Sequence, residues 1–272
     1  MAALGGRRPH SLSRRGLLGR RALRRFLYAQ MALRSAVMIA IGREAPLVRF
    51  TVENDPPSVY FVFRIRDAEC DRLLADLELP EGTALAPIRC LADDAPEYLL
   101  TLNVYRVSGI TNGLRAEWSV YVEDENGVPR YLVVDARSSG RSMDPVDVIT
   151  PASRVEHRRD GDEVTMAIGP EGASFDASFT VPSDAPIVAS APEWTTANDD
   201  IYWRNGIHDR TFYDAGLAAP DQILVDPPSV TLTDGSAWAA YVEPTPVHVL
   251  VFRQAIEFVV SPWANVDELA RR

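Results

Sequence analysis

The segment from Glu97 to Ala136 constrains the fold more than any other part of the chain. It contains three runs rich in β-branched and aromatic residues, and Asn-Gly pairs at 112–113 and 126–127 separate them. Asn-Gly between two strand-like runs is a strong hairpin signal, because both residues tolerate the positive φ that a type I′ turn needs. The segment therefore predicts a three-stranded antiparallel meander.

The middle run of this meander predicts two different faces of a sheet. Successive side chains of a strand point to opposite sides, so every second residue shares a face. One predicted face consists of Ala116, Trp118, Val120 and Val122, and the other of Arg115, Glu117, Ser119 and Tyr121. The second set is either the solvated side of a sheet or the lining of an interior.

Short strand-like runs continue on both sides of the meander, and a second meander is predicted within 153–181. Ala68–Leu77 has helical spacing, 183–192 looks like a linker, and a further helix is predicted over 209–217. Nothing resembles alternating βαβ units, which excludes Rossmann and TIM-barrel architectures. The prediction is a mainly β fold: an antiparallel β-barrel, cone- or lipocalin-like, over residues 46–272, with one short helix.

No lysine occurs among the 272 residues, so all 28 strongly basic side chains are arginine. This bias is typical of a GC-rich, bacterial genome. It excludes Schiff-base catalysis, a P-loop lysine and covalent attachment of pyridoxal phosphate. The two cysteines, Cys70 and Cys90, are too few for a disulfide scaffold or a Cys-rich zinc site, and we predict that they are buried free thiols.

Charge is distributed unevenly along the chain. The first 49 residues are rich in arginine and contain Glu44 as their only acid, whereas the remainder is acidic and brings the formal net charge to −10. An acidic body argues against a nucleic-acid partner, since phosphate contacts need clustered basic side chains. Residues 1–45 are predicted to form an Arg-rich, helical and partly disordered arm.

Four interpretations are open for this arm. Residues 14–41 have an amphipathic pattern that suits peripheral contact with a membrane. Ser13–Leu18 loosely matches a twin-arginine export motif, although further arginines interrupt the apolar run that follows. The third interpretation is docking onto a partner or onto the domain itself, and the fourth is that Met31 is the true translation start. Phe26–Ile41 is too short and too polar to span a bilayer, so a cytoplasmic protein, with or without membrane association, is expected.

Four short motifs stand between Leu73 and Val181. They are the helix and turn LLADLELPEG, the strand entry Ala95–Tyr98, the loop Gly140–Pro145 and the Asp-Gly-Asp turn at 160–162. Together they resemble the acetoacetate decarboxylase-like superfamily. The resemblance implies a cone-shaped antiparallel β-barrel with an internal pocket.

The resemblance carries over to the catalytic residues only in part. The family's barrel-facing glutamate corresponds to Glu97. In the family's Gly-Arg-Glu…Pro-Lys-Lys loop, Ser142 replaces the glutamate, and Val146 and Asp147 replace the two lysines. The family's decarboxylation through a lysine Schiff base cannot operate here. The resemblance then implies different chemistry in the same pocket, or binding without chemistry.

The first functional hypothesis is a lyase- or hydratase-like enzyme that acts on a small keto acid or carbonyl compound, with no cofactor and no metal. Glu97 is the predicted general acid–base catalyst. An arginine is predicted to hold the carboxylate of the substrate, because a guanidinium presents a rigid bidentate fork. The predicted substrate-binding residues are Arg89, Arg115, Glu117, Tyr121, Arg141 and Trp203.

Trp203 belongs to a polar and aromatic insertion, Trp194–Ala219, in which Tyr202 and Trp203 are predicted to cover the pocket as a lid. The acidic residues and His208 of this insertion match no metal-binding spacing, and such stretches are ordinarily turns.

The second hypothesis is a non-catalytic barrel that holds an apolar small molecule and reaches a membrane or a protein partner through the arm. A charged interior favours the enzyme and an apolar interior favours the carrier. Both hypotheses are compatible with a homo-oligomer.

Overall fold

A computed structural model describes residues 48–79, 83–109, 112–123, 127, 129–140, 149–151, 154–169, 174–199, 201–203, 213–214 and 221–260. Residues 47–272 form one compact unit. The predicted arm, with its suggested membrane, export and docking roles, lies outside the described residues, as does Arg141. No helix in the described part of the chain is both long enough and apolar enough to cross a bilayer.

The described residues are mainly β-strand. In chain order the strands are β1 (Val48–Val52), β2 (Val59–Arg64), β3 (Ala84–Leu85), β4 (Leu99–Gly109), β5 (Gly113–Glu123), β6 (Pro129–Ser138), β7 (Ile149–Pro151), β8 (Val155–Asp160), β9 (Glu163–Ile168), β10 (Phe175–Thr180), β11 (Ile187–Val188), β12 (Ile201–Trp203), β13 (Tyr213–Asp214), β14 (Gln222–Val225), β15 (Thr231–Asp234), β16 (His248–Phe252) and β17 (Ile256–Val260). The helices are α1 (Cys70–Leu77) and α2 (Pro192–Asp199), with 3-10 turns at Asp67–Glu69, Pro227–Ser229 and Ala237–Ala240.

Thirteen strands form one large sheet in which β4 is central. Along one side of β4 runs β5, followed by β6. Along its other side lie β2 and β1, end to end, and they continue the sheet through β16, β14 and β11 and through β17 and β13. All pairings are antiparallel except those of β6 with β7 and with β12. Within the described strands no pairing closes this sheet, so the barrel remains a prediction.

The predicted meander is confirmed as β4, β5 and β6. Gly113 and Gly127 both have positive φ, as expected for the glycines of the two Asn-Gly pairs. Gly113 has a second reason to be glycine, because an added Cβ would lie 2.8 Å from the backbone nitrogen of Gly140. A bulge between Trp118 and Ser119 in the pairing with β6 leaves Val134 as an extra residue.

The second predicted meander is confirmed as the antiparallel sheet β8–β9–β10, to which β15 adds a fourth strand. This small sheet packs on one side of the large sheet: the ring of Phe61 lies 5.0 Å from that of Phe175 and 6.1 Å from that of Phe179. We call this side of the large sheet the apolar face; its buried residues are Val59, Phe61, Phe63, Leu100, Leu102, Val104, Ala116, Trp118, Val120 and Val122.

The helix predictions are partly right. α1 lies where helical spacing predicts it, with Leu73 and Leu77 buried against the apolar face. The predicted helix at 209–217 is wrong at Tyr213–Asp214, which pair with β17 as a strand. α2, in contrast, begins inside the predicted linker. Its sequence shows little amphipathic pattern, and its start is marked by the proline at its first position and by Glu193 in its first turn.

Candidate functional site

The side of the large sheet opposite the apolar face carries a cluster of polar residues. We call it the tyrosine face; its members are Tyr60, Thr101, Asn103, Tyr105, Arg115, Glu117, Ser119, Tyr121 and Tyr131. The strand register brings them together, since Asn103 pairs with Glu117 and Tyr105 with Arg115. Trp194 of α2 covers part of the face, with its ring 5.2 Å from that of Tyr121.

An ion pair lies within the tyrosine face. Arg115 Nη1 donates to Glu117 Oε1 at 3.3 Å and to the hydroxyl of Tyr105 at 3.3 Å. The two charged side chains are only 5% and 8% exposed. The guanidinium also lies 5.8 Å from the centre of the Tyr105 ring, within cation–π range. The site therefore holds a guanidinium and a carboxylate that are shielded from bulk solvent.

The phenols around this pair stay protonated at neutral pH. Burial raises the pKa of Tyr60, Tyr105 and Tyr131 well above the ordinary range, and Glu117 raises each of them further. Arg115 acts in the opposite direction on Tyr105. These tyrosines are therefore hydrogen-bond donors, with no role as phenolate bases.

Several buried hydroxyls of the tyrosine face have hydrogen-bonding capacity to spare. The oxygens of Thr101, Ser119 and Tyr131 have no hydrogen bond of good geometry within the described residues. They are nevertheless close neighbours: Thr101 pairs with Ser119 between β4 and β5. Weak hydrogen bonding with Ser119, Thr101 and Tyr60 partly offsets the rise that burial causes in the pKa of Tyr131. Buried polar atoms are normally satisfied, so such a group of hydroxyls suits a bound polar molecule or ordered water.

A second feature is a cleft of about 140 Å³ beside the N-terminal end of β4. Glu97 lies there, but its carboxylate accepts from Arg64 at 2.5 Å, and Arg64 also reaches Glu243 at 3.6 Å. The hydrogen bond to Glu97 raises the pKa of Arg64. The same cleft is lined by Cys90, Asp94 and His248.

Cys90 is a poor nucleophile in this setting. Its side chain is buried, and burial followed by the nearby Asp94 carboxylate raises the pKa of the thiol well above its ordinary value. Reactive cysteines need the opposite shift. Both described cysteines are free, as predicted, but Cys70 on α1 is only partly buried.

The predicted site residues fall into separate places. Arg115, Glu117 and Tyr121 lie together on the tyrosine face, each less than 10% exposed, so the interpretation of this face as a solvated surface is wrong. Glu97 precedes Asn103, the partner of Glu117, by six residues, which is roughly 20 Å along an extended chain. Glu97 and Arg115 therefore lie at different places along the sheet, and the arginine that lines the cleft together with Glu97 is Arg64, which was not among the predicted residues.

The remaining predicted residues lie elsewhere. Arg89 pairs with Glu193 on α2, and this ion pair raises the pKa of Arg89. Trp203 lies in β12, whose backbone pairs with β6, so the segment predicted as a lid loop contains a sheet strand at this point.

Sequence reasoning missed most of the tyrosine face. The polar residues of β4, namely Thr101, Asn103 and Tyr105, alternate with Leu100, Leu102 and Val104, which was a usable signal of two distinct faces. The contributions of Tyr60 and Trp194 come from distant segments and have no local signal. The same holds for His248, which meets Asp94 across a separation of 154 residues.

No family model and no curated protein matches this chain. An acetoacetate decarboxylase-like enzyme from Sphingomonas wittichii RW1 is similar in structure, with a TM-score of 0.46 and 11% sequence identity over 79% of this chain and 90% of that chain. This is a likeness of chain arrangement alone, and the chemistry has to be argued from the side chains.

Proposed function

We propose that the tyrosine face binds a small carboxylate that also carries a carbonyl group, such as a keto acid, and catalyses proton transfer on it. The buried ion pair of Arg115 and Glu117 among protonated phenols is the observation that carries this proposal. The kind of ligand agrees with the sequence resemblance, while the mechanism does not use a lysine.

Stability alone is a weak explanation for this arrangement. Desolvation of two charges offsets most of the attraction between them, and apolar residues of similar volume often stabilise a core equally well. The apolar face of the same strands is filled in that way. A buried Arg–Glu pair on the opposite face therefore favours a role in binding.

The side chains suit a keto acid. The guanidinium of Arg115 offers parallel N–H donors that match the two oxygens of a carboxylate. The hydroxyls of Tyr131, Thr101 and Ser119 can donate to a carbonyl oxygen and stabilise the negative charge that develops on it when a neighbouring carbon loses a proton. Glu117 is the carboxylate available in the cluster to accept that proton.

An apolar ligand fits this face less well. It would offer no polar partner to the hydroxyls of Thr101, Ser119 and Tyr131, and a buried polar group left unsatisfied costs about 1–3 kcal/mol. The charged interior therefore favours the enzyme over the carrier hypothesis.

The test has a binding readout and a chemical readout. Calorimetric titration with pyruvate and acetoacetate is expected to show binding, and Arg115→Met should weaken it at least about tenfold because a charge-assisted hydrogen bond is lost. In D2O, wild-type protein should speed deuterium exchange at the carbon next to the ketone, as followed by NMR. Glu117→Gln should bind the acid but lose this exchange.

Two controls separate function from folding. The double variant Arg115→Met/Glu117→Leu removes both charges, so it should fold and still fail to bind. Glu97→Gln, roughly 20 Å away along the chain, should leave affinity and exchange unchanged. If Glu97→Gln abolishes exchange while Arg115→Met does not weaken binding, the site lies in the cleft and the proposal is wrong. If natively purified protein releases a fatty molecule, and the Arg115→Met variant releases the same amount of it, the carrier hypothesis is favoured instead.

A further inference from the structure

Three side chains that suit a metal ion converge beside the cleft. Cys90 comes two residues after Ile88, which forms an isolated β-bridge with Glu97. Asp94 lies in the turn before β4, and His248 is the first residue of β16. One ligand atom from each, a sulfur, a carboxylate oxygen and an imidazole nitrogen, lies within 4.8 Å of the other two. This group is separate from the tyrosine-face residues used in the proposed function.

We propose that Cys90, Asp94 and His248 form a binding site for a divalent metal ion of the zinc type. Zn²⁺ accepts thiolate, imidazole and carboxylate ligands, and three protein ligands leave its fourth tetrahedral position open. All three residues line the cleft, so the open position faces a space that water or a small anion can enter. A mixed S, N and O donor set also disfavours Mg²⁺ and Ca²⁺, which bind oxygen ligands.

The ligands are held in place by their own surroundings. Asp94 Oδ2 accepts from the backbone N–H of Leu91 at 2.7 Å and lies 2.8 Å from His248 Nε2. The Cys90 carbonyl accepts from the backbone N–H of Ala191 at 3.0 Å, and Cys90 itself is 1% exposed. Backbone hydrogen bonds join Ile88 and Glu97 in both directions and tie together the segment that carries Cys90 and Asp94. A metal site gains affinity from such supporting contacts.

The three ligand atoms have to shift when a metal binds. With a Zn–S bond of about 2.3 Å, a sulfur ligand lies about 3.6 Å from a nitrogen or oxygen ligand, whereas the separations in this group reach at most 4.8 Å. The sulfur would therefore approach by up to roughly 1 Å. Metal bonds of 2.0–2.2 Å at the tetrahedral angle place nitrogen and oxygen ligands about 3.3 Å apart. Nε2 of His248 and Oδ2 of Asp94 are now 2.8 Å apart, so the pair would open by roughly half an ångström.

The charges around the site favour a dication. On metal binding the Cys90 thiol would release its proton to solvent, as ligation by cysteine requires. The resulting thiolate and the Asp94 carboxylate together balance the two positive charges of the metal. The nearest cation lining the cleft, Arg64, is already paired with Glu97 and with Glu243. Its charge is therefore largely compensated and does not oppose a neighbouring metal ion.

Cobalt provides a direct test, because Co²⁺ takes the place of zinc and reports a sulfur ligand by its colour. The full-length protein, first dialysed against a chelator, is titrated with Co²⁺. We expect a thiolate-to-cobalt charge-transfer band in the near ultraviolet and strong ligand-field bands in the visible, with one equivalent bound. Cys90→Ser should abolish the charge-transfer band, and His248→Gln and Asp94→Asn should each weaken binding at least about 100-fold, more than the loss of a supporting contact.

Cys70→Ser is the matched control, because it removes the other thiol and leaves the proposed site intact. It should keep the full spectrum. Zn²⁺ should also raise the unfolding temperature of wild-type protein and of Cys70→Ser, since a metal that binds only the folded state stabilises it, but not that of His248→Gln. Circular dichroism checks that each variant is folded.

The proposal is overturned if wild-type protein shows no charge-transfer band, or if the band survives Cys90→Ser and disappears with Cys70→Ser. Binding of cobalt without any response to His248→Gln would place the metal elsewhere in the chain and would also overturn it. Keto-acid binding should be unaffected by His248→Gln, so this result and the test of the proposed function can fail independently.

Discussion

The two faces of strand β5 differ in chemistry although both are buried. On the apolar face, Ala116 and Trp118 are 0% and 4% exposed and pack against the small sheet. On the tyrosine face, Arg115 and Glu117 are 4% and 6% exposed and lie among phenols and hydroxyls. Burial by itself therefore does not tell a core from a site.

What differs between the faces is the number of polar side chains that they bury. Apolar packing leaves nothing unsatisfied, and it supplies most of the free energy that holds the domain together. The tyrosine face holds an ion pair and several hydroxyls without a hydrogen bond of good geometry in the described structure. Such groups add little to stability and much to recognition. Substitutions on the apolar face should therefore lower stability and leave ligand affinity unchanged, whereas substitutions on the tyrosine face should lower affinity and change stability little.

The largest effect is expected on the apolar face. Phe61 is fully buried and its ring touches those of Phe175 and Phe179. Phe61→Ala should lower the free energy of unfolding by about 3–5 kcal/mol, because it removes apolar contacts and leaves a cavity. Urea denaturation measures this loss. Tm should fall, while the keto-acid affinity of the folded fraction should stay the same. A loss of affinity in the folded fraction would contradict the assignment of binding to the tyrosine face alone.

His157, in β8 of the small sheet, is a polar residue buried on the otherwise apolar side of the large sheet. This histidine is 2% exposed, its two ring nitrogens have no hydrogen-bond partner in the described part of the chain, and burial followed by Arg106 lowers its pKa to about 4. The unfolded state binds the proton first, near the ordinary pKa of about 6.5. The free energy of unfolding should therefore fall as pH drops from about 6.5 to 4, by about 3 kcal/mol from this group.

His157→Leu should remove that component. Denaturation curves of wild type and variant at several pH values isolate it, because carboxylates titrate equally in both proteins. The difference in stability between the two proteins should grow in favour of the variant below pH 6.5. A constant difference between pH 7 and 4 would mean that His157 is satisfied or exposed in solution.

The smallest effect is expected on the tyrosine face. Tyr131→Phe removes a buried hydroxyl that has no hydrogen bond of good geometry in the described structure. The free energy of unfolding should fall by less than about 1 kcal/mol, since the interactions of this hydroxyl with Ser119, Thr101 and Tyr60 are no more than weak hydrogen bonds. Keto-acid affinity should fall several-fold if the hydroxyl donates to the carbonyl oxygen. A large loss of stability with unchanged affinity would assign this face a structural role.

Local patterns predicted a good part of the fold. The Asn-Gly pairs predicted both hairpins of β4–β6, and the Asp-Gly turn at 160–161 predicted the hairpin of β8 and β9. The spacing of Leu73 and Leu77 predicted α1 within a few residues. Predictions failed where partners are remote: the parallel pairing of β12 with β6, and the strand at Tyr213–Asp214 in place of a helix.

The candidate site was likewise predictable where it depends on local alternation and unpredictable where it depends on remote segments. Alternation along β5 was enough to put Arg115, Glu117, Ser119 and Tyr121 on one face and the apolar residues on the other. It could not tell whether that face meets water, because the answer depends on α2 and on Tyr60 of β2, which belong to other segments of the chain.

The sequence by itself determined the local conformations, the two-sided character of the meander and the exclusion of lysine chemistry, because turns, alternation and residue inventory are local properties. The tertiary structure alone decided that both sides of the sheet are buried and that His248 meets Asp94. Those outcomes depend on strand order and on packing between segments more than a hundred residues apart, and no short-range pattern encodes them.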